Sequence, residues 1–206
     1  MEIGIEIEGI SPLMLHAFTD EAQLEATDGG RSAAASGDRG TPLEQATKHL
    51  YIGSKKQLII PGPMLFACVI NGGKFHKAGT NKITTQRSSL IPACVSINEI
   101  EIDIIHKEPW TVDTRPVRIP ATGGRILRHR PLFHDWKLVF TVELDTAEMN
   151  EKLFRQIVDS AGKKVGLGDF RPMCKGPFGR FTVTRWSRAI VPLEEKREEK
   201  KARKAA

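Results

Sequence analysis

The chain has 206 residues, 40% of them hydrophobic and 6% aromatic, and a formal net charge of +6. That length favours one domain with insertions over two full domains, and the apolar content suffices for a sizeable core. The basic balance is compatible with a polyanionic partner, and no apolar run approaches the ~20 residues of a membrane-spanning helix.

Residues 2–8 alternate, with Ile3, Ile5 and Ile7 on one side and glutamates mostly on the other, which predicts a half-buried strand. After "SPLMLH" the composition changes. Residues 19–42 are small, polar and charged, and predict a mobile insertion. "LEQATKHLY" predicts a short helix and "GSKK" a turn. Pro61 and Pro63 suit a helix start, the run from Met64 to Ile70 predicts a buried helix, and Gly72 and Gly73 end it. Residues 81–91 are polar and basic without a clear period.

"CVSINEIEIDII" predicts a single strand with Ile100, Ile102 and Ile104 facing inward. Residues 106–136 read as a long irregular piece, and "KLVFTVEL" as another strand with Leu138, Phe140, Val142 and Leu144 on one face. "DTAEMNEKLFRQIVDSAGKKV" predicts an amphipathic helix, with apolar residues at 153, 157, 158, 161 and 165 and Lys163 and Lys164 at its end. A basic glycine-rich loop follows, and "RFTVTRW" predicts the last strand. The charged residues 191–206 predict a frayed helical tail. The order strand, helix, strand, strand, helix, strand predicts an α+β, ferredoxin-like (βαββαβ) antiparallel sheet with helices on one face. It fills residues 1–190 as a single domain, with insertions after strand one and between strands two and three.

Cys68, Cys94 and Cys174 lie far apart, without CxxC or zinc-finger spacing. They argue against a disulfide framework and fit a reducing compartment. "MEIGIEIEGI" lacks the pattern of a signal peptide, so a soluble cytoplasmic protein is expected.

Two segments carry the chemistry. From 107 to 137, seven cations (Lys107, Arg115, Arg118, Arg125, Arg128, Arg130 and Lys137) face three acids (Glu108, Asp113 and Asp135), and Trp110, Phe133 and Trp136 flank the run. Arginines fit phosphates through bidentate contacts and aromatics stack on bases. Alternatively, the tryptophans anchor the insertion to the core and the arginines are solvated. In "VGLGDFRPMCKGPFGRF", Gly166, Gly168, Gly176 and Gly179 let backbone come close to something else, with Arg171, Lys175 and Arg180 supplying charge and Phe170 or Phe178 stacking or packing. The bland reading is a glycine-rich turn packed on the sheet. The spacing is not that of a P-loop.

The element order, "IPGPMLFACVINGG" and the loop "GLGDFRPMCKGPFGRF" together resemble the RAMP superfamily, the repeat-associated group that forms much of the CRISPR–Cas effector machinery. The resemblance implies that the loop lies against bound RNA. It also implies that the basic insertion at 106–136 acts like the thumb of the backbone subunits that coat guide RNA. The chain is short for such a subunit, which suggests a solitary or phage-encoded relative in antiviral defence.

The expected function is single-stranded RNA binding through the phosphate backbone, without catalysis and with RNA preferred to DNA. Self-association or contact with other effector subunits is a further expectation, with no membrane partner. The candidate nucleic-acid-binding residues are Lys74, Lys77, Lys82, Arg87, Arg115, Arg118, Arg125, Arg128, Arg130, Gly166, Gly168, Arg171, Lys175, Gly176, Gly179 and Arg180. Two alternatives stay open: a protein-binding mimic of an effector subunit, and a metal-independent endoribonuclease using His16 or His76. No motif calls for a cofactor. His129 and His134 lack the cysteine or acidic cluster that would complete a metal site.

Overall fold

The computed structural model describes residues 1–18, 40–118 and 123–188. Residues 19–39 of the expected insertion, and the charged tail, lie outside the described residues.

Strand β1 (Glu2–Gly9) buries Ile3, Ile5 and Ile7 and leaves the alternate positions partly exposed, as its two-residue period requires. β2 (Leu13–Met14) follows at once. Helix α1 (Pro42–Lys48) begins at a capping box, in which the Thr41 hydroxyl accepts from Glu44 N–H and the Glu44 carboxylate accepts from Thr41 N–H. β3 (Ile59–Pro61) leads into α2 (Gly62–Gly72), and a 3₁₀ turn continues to Phe75. Two short strands, β4 (Lys77–Ala78) and β5 (Asn81–Lys82), make a small hairpin. The turn α3 (Ile91–Cys94) leads into β6 (Val95–Ile97), then β7 (Glu101–Asp103). The long strands β8 (Thr111–Arg118), β9 (Arg125–Phe133) and β10 (Lys137–Leu144) come next. Helix α4 (Glu151–Ser160) and the last strand β11 (Phe181–Ser187) complete the described chain.

The main sheet runs β11-β1-β10-β6, and its described pairings are antiparallel. This is the α+β ferredoxin-like arrangement, with β1, β6, β10 and β11 as its four strands and α2 and α4 as its two helices. In register, Ile3 faces Val142, Ile5 faces Phe140 and Ile7 faces Leu138, so one apolar sheet face is continuous. Leu65, Cys68 and Val69 of α2 and Phe154, Ile157 and Val158 of α4 close over it in the same cluster. Gly72 makes the helix contact possible: a Cβ there would crowd the Ile157 carbonyl and the Ala161 side chain.

Two expectations are corrected. The single strand over 94–105 is two strands in different sheets, β6 pairing with β10 and β7 with β3. The Glu99 side chain interrupts the run by accepting a hydrogen bond from Thr141 N–H at 2.8 Å. Ile102 and Ile104 are buried as expected, but Ile100 is 78% exposed because it sits in the break. The irregular piece over 106–136 is instead dominated by a long regular hairpin, β8 paired residue for residue with β9. Its pattern was hidden because β8 and the first half of β9 are exposed or half-buried on both faces and carry no apolar alternation. Pro116 is accommodated because β8 is the outermost strand of the order β2-β9-β8, where a missing N–H is tolerated.

Trp136 and Phe133 are each 1% exposed, and the Trp136 indole donates to the Ser11 carbonyl at 2.9 Å. They anchor the hairpin base and are not available to stack on a base. Among the described residues, no helix is long and apolar enough to cross a membrane.

Candidate nucleic-acid interface

After α4 the chain makes a π turn over 161–165, and Gly166 closes it with its N–H on the Ala161 carbonyl at 2.9 Å. The loop then folds on itself and on the residues after β1. Leu167 N–H donates to the Gly179 carbonyl (2.9 Å), Gly179 N–H to Pro12 (2.7 Å) and Asp169 N–H to Met14 (2.8 Å). The close approaches that the glycines permit are therefore to the chain itself. A Cβ on Gly168 would overlap the Met14 carbonyl oxygen, one on Gly176 the Phe170 carbonyl oxygen and one on Gly179 the Leu167 carbonyl oxygen. At Gly166 it would crowd Pro172. Arg171 is also engaged inward, donating to the Gly168 carbonyl at 2.7 Å. Lys175, at a left-handed φ of 62°, and Arg180 are exposed. Of the loop's candidate residues, these two present charge outward most freely.

The hairpin and the loop form one surface. Phe178 is buried with Met14 and Leu132, and Phe170 packs on that cluster with its ring 6.1 Å from Phe178. The Arg115 guanidinium lies over the Phe178 ring at 5.0 Å, a cation–π contact. Arg130, largely buried at 9% exposure, places Nε 3.0 Å from Asp169 Oδ2, and His16 places Nδ1 3.3 Å from the same oxygen. These are charge contacts without full hydrogen-bond alignment, since neither Arg130 Nε nor Asp169 Oδ2 has a hydrogen-bond partner. The other carboxylate oxygen accepts from Phe170 N–H at 2.8 Å. Arg130 is thus committed to holding the loop against the hairpin.

Cations also face each other across strands. Arg115 stands opposite Arg128, and Arg118 opposite Arg125. Lys77 stands opposite Lys82 in the β4–β5 hairpin. Like charges directly opposite destabilise an antiparallel pair, so each arrangement favours a bound anion. Asp113 relieves only one of them, accepting from Arg115 Nε. Lys74 is exposed on the turn after α2, beside the hairpin that carries Lys77 and Lys82. Lys164 joins this second basic group from the π turn after α4, with Nζ 4.5 Å from the Phe75 ring centroid. Arg87 is exposed on the turn that follows.

The sequence reading missed Asp169 as the junction and His49 as a neighbour of His16. The His16 and His49 rings meet edge to face, 4.4 Å apart, and His49 Nδ1 lies 2.9 Å from the Ala17 carbonyl. No local motif could have shown this, because the residues come from three separate segments. His76, the other candidate, instead contacts the Ser160 hydroxyl at 2.8 Å.

Contact with His16, reinforced by the Arg130 charge and working against burial, holds the Asp169 carboxyl down at about 2. A depressed carboxyl adds stability that is present above its unfolded pKa near ~3.9 and lost as pH falls through the folded value. Stability should therefore drop between about pH 4 and pH 2, by roughly 2 kcal/mol from this group. Asp169→Asn should be less stable at neutral pH and lose that part of the acid dependence, as read by urea unfolding across the range. An unchanged acid limb in the variant would show that Asp169 contributes nothing.

No family model matches the chain, and no curated protein does. Solved structures match: 44 chains in all. One is a chain in the cryo-EM structure of the Type III-B Cmr-beta bound to cognate target RNA, with TM-score 0.53 and 11% identity. The match covers 90% of this chain and 59% of that one, so this chain spans less than two thirds of that chain's length. At this identity the likeness shows a shared fold.

Proposed function

We propose that this is a RAMP-type RNA-binding protein that grips the phosphate backbone of single-stranded RNA and belongs to a CRISPR effector context. The observation that carries the proposal is the basic β8–β9 hairpin, whose Arg115–Arg128 face meets the 166–180 loop while the Arg118–Arg125 pair lies on its other face near the tip. The shared fold with a chain from an RNA-bound complex supports it. Arg115, Arg118, Arg125 and Arg128 supply the hairpin contacts, and Lys175 and Arg180 those of the loop. Lys74, Lys77, Lys82 and Arg87 form a second contact region. Gly166, Gly168, Gly176, Gly179, Arg130 and Arg171 shape and hold the loop.

Phosphate contacts position a strand without reading its bases, so affinity should vary little with sequence. Each phosphate neutralised on a single strand releases counterions and adds about −0.7 to the slope of log affinity against log salt. With four to six contacts the slope is expected near −3 to −4. Fluorescence anisotropy with a 20-nucleotide single-stranded RNA between 50 and 300 mM KCl measures it, with single-stranded DNA as competitor. Absence of binding at low salt, or a flat slope, would overturn the proposal.

A further inference from the structure

We propose that His16, His49 and Arg128 form a phosphate-binding pocket where the hairpin meets the glycine-rich loop. The proposal deepens the RNA-binding reading above and rests on it for the identity of the ligand.

The pocket is built around an anchored histidine. The Asp169 carboxylate, which only accepts, faces His16 Nδ1 and so favours the proton on that nitrogen. Its charge is met by Arg130 and its second oxygen by Phe170 N–H, so it orients His16 while being largely spent on its own neighbours. The His16 backbone carbonyl accepts from the Tyr51 hydroxyl at 3.4 Å, a further tie to the segment after α1. On His49, the Ala17 carbonyl likewise requires the proton on Nδ1, which leaves Nε2 as the second nitrogen.

The surroundings of His49 are positive. Arg128 and Arg130 from β9 and His16 from the segment after β2 all act on it, and Lys48 precedes it on α1. Asp169 reaches it through His16. Burial, with these neighbouring positive charges adding to it against the raising effect of the Ala17 carbonyl, lowers the His49 pKa. An anion placed here reverses the balance: it relieves the repulsion among guanidiniums and imidazoles and favours imidazolium. A phosphate suits these groups, because a guanidinium and protonated imidazoles are all donors and a tetrahedral oxyanion can offer each an oxygen. Binding should therefore take up a proton on His49.

The sign follows. A group whose pKa rises on binding makes affinity increase as pH falls through the interval between its free and bound values. Between pH 7.5 and 5.5 at fixed ionic strength, the full chain should gain roughly tenfold in affinity for a 3′-labelled 15-nucleotide oligouridylate. His16→Gln and His49→Gln should each reduce that gain to less than about twofold, with melting temperature showing that they are folded. His106→Gln, away from the pocket, should keep the full gain. The oligonucleotide is used with a 5′-hydroxyl and with a 5′-phosphate. An enhancement by the 5′-phosphate that either histidine variant removes assigns the pocket to a strand end, and equal behaviour assigns it to an internal phosphodiester.

Pyrophosphate followed by NMR tests the pocket without RNA. The ring signals of His16 and His49 should move, His49 should titrate at higher pH than in the free protein, and Arg128→Ala should suppress both effects. If pyrophosphate does this while the oligonucleotide does not bind, the RNA reading fails and the pocket stands. If RNA binds with a steep salt slope but a flat pH profile, and pyrophosphate leaves both rings unmoved, the pocket fails and the RNA reading stands. Scission of the oligonucleotide in EDTA, stopped by either histidine substitution, would also overturn the pocket by making the pair an acid–base couple.

Discussion

Gly179→Ala is expected to cost about 3 kcal/mol of stability or more and to lower the melting temperature by roughly 6 to 12 °C. Gly179 has φ +68°, a left-handed conformation that costs an L-residue ~1–2 kcal/mol. A Cβ would also overlap the Leu167 carbonyl oxygen, which accepts no relief because Leu167 N–H is itself held by the Gly179 carbonyl. Backbone on both sides must shift, and overpacking of this kind adds ~1–3 kcal/mol. Gly176→Ala should behave similarly by overlapping the Phe170 carbonyl. Gly79→Ala is the control: φ is +59° there, but no atom lies within 4 Å, so only the conformational cost of ~1–2 kcal/mol remains. Differential scanning fluorimetry on the three variants reads the order. If Gly179→Ala melted like the wild type yet lost RNA, the space over that glycine would belong to a ligand and not to the loop.

The double variant Arg118→Ala/Arg125→Ala should show the opposite pattern, a loss of binding with no loss of stability. The two arginines face each other across the last described pair of the β8–β9 hairpin and are both exposed. Removing two phosphate contacts should reduce the salt slope by about 1.4, which near 0.1 M salt corresponds to roughly 25-fold in affinity. Relieving a like-charge pair should leave stability unchanged or raise it by up to ~1 kcal/mol. Anisotropy titrations at several salt concentrations and a melting curve on the same protein measure both. Wild-type affinity with an unchanged slope would remove this end of the hairpin from the interface. Together the variants separate residues that shape the surface from residues that touch the ligand.

The sequence determined the ferredoxin-like sheet because its central strands carry a one-sided apolar pattern. Ile3, Ile5 and Ile7, and Leu138, Phe140, Val142 and Leu144, each read as one buried face, and each face is buried. The helix over 151–160 was legible for the same reason: one side carries Phe154, Ile157 and Val158 while Lys152 and Gln156 are exposed. Glycine spacing told that backbone comes close to something in the 166–180 loop. Only the tertiary structure decided that the something is the chain's own carbonyls at Leu167, Phe170 and Met14. The hairpin was opaque because most of its residues are polar and exposed, so no apolar face marks its strand period. The division of residues 95–103 between two sheets was opaque because strand pairing partners are chosen by distant segments, β10 for one and β3 for the other. The assembly of His16, His49, Arg130 and Asp169 had no sequence signature, since proximity among residues from separate segments is a product of folding. Local pattern determines which faces must be buried; the packing of those faces determines which polar groups meet.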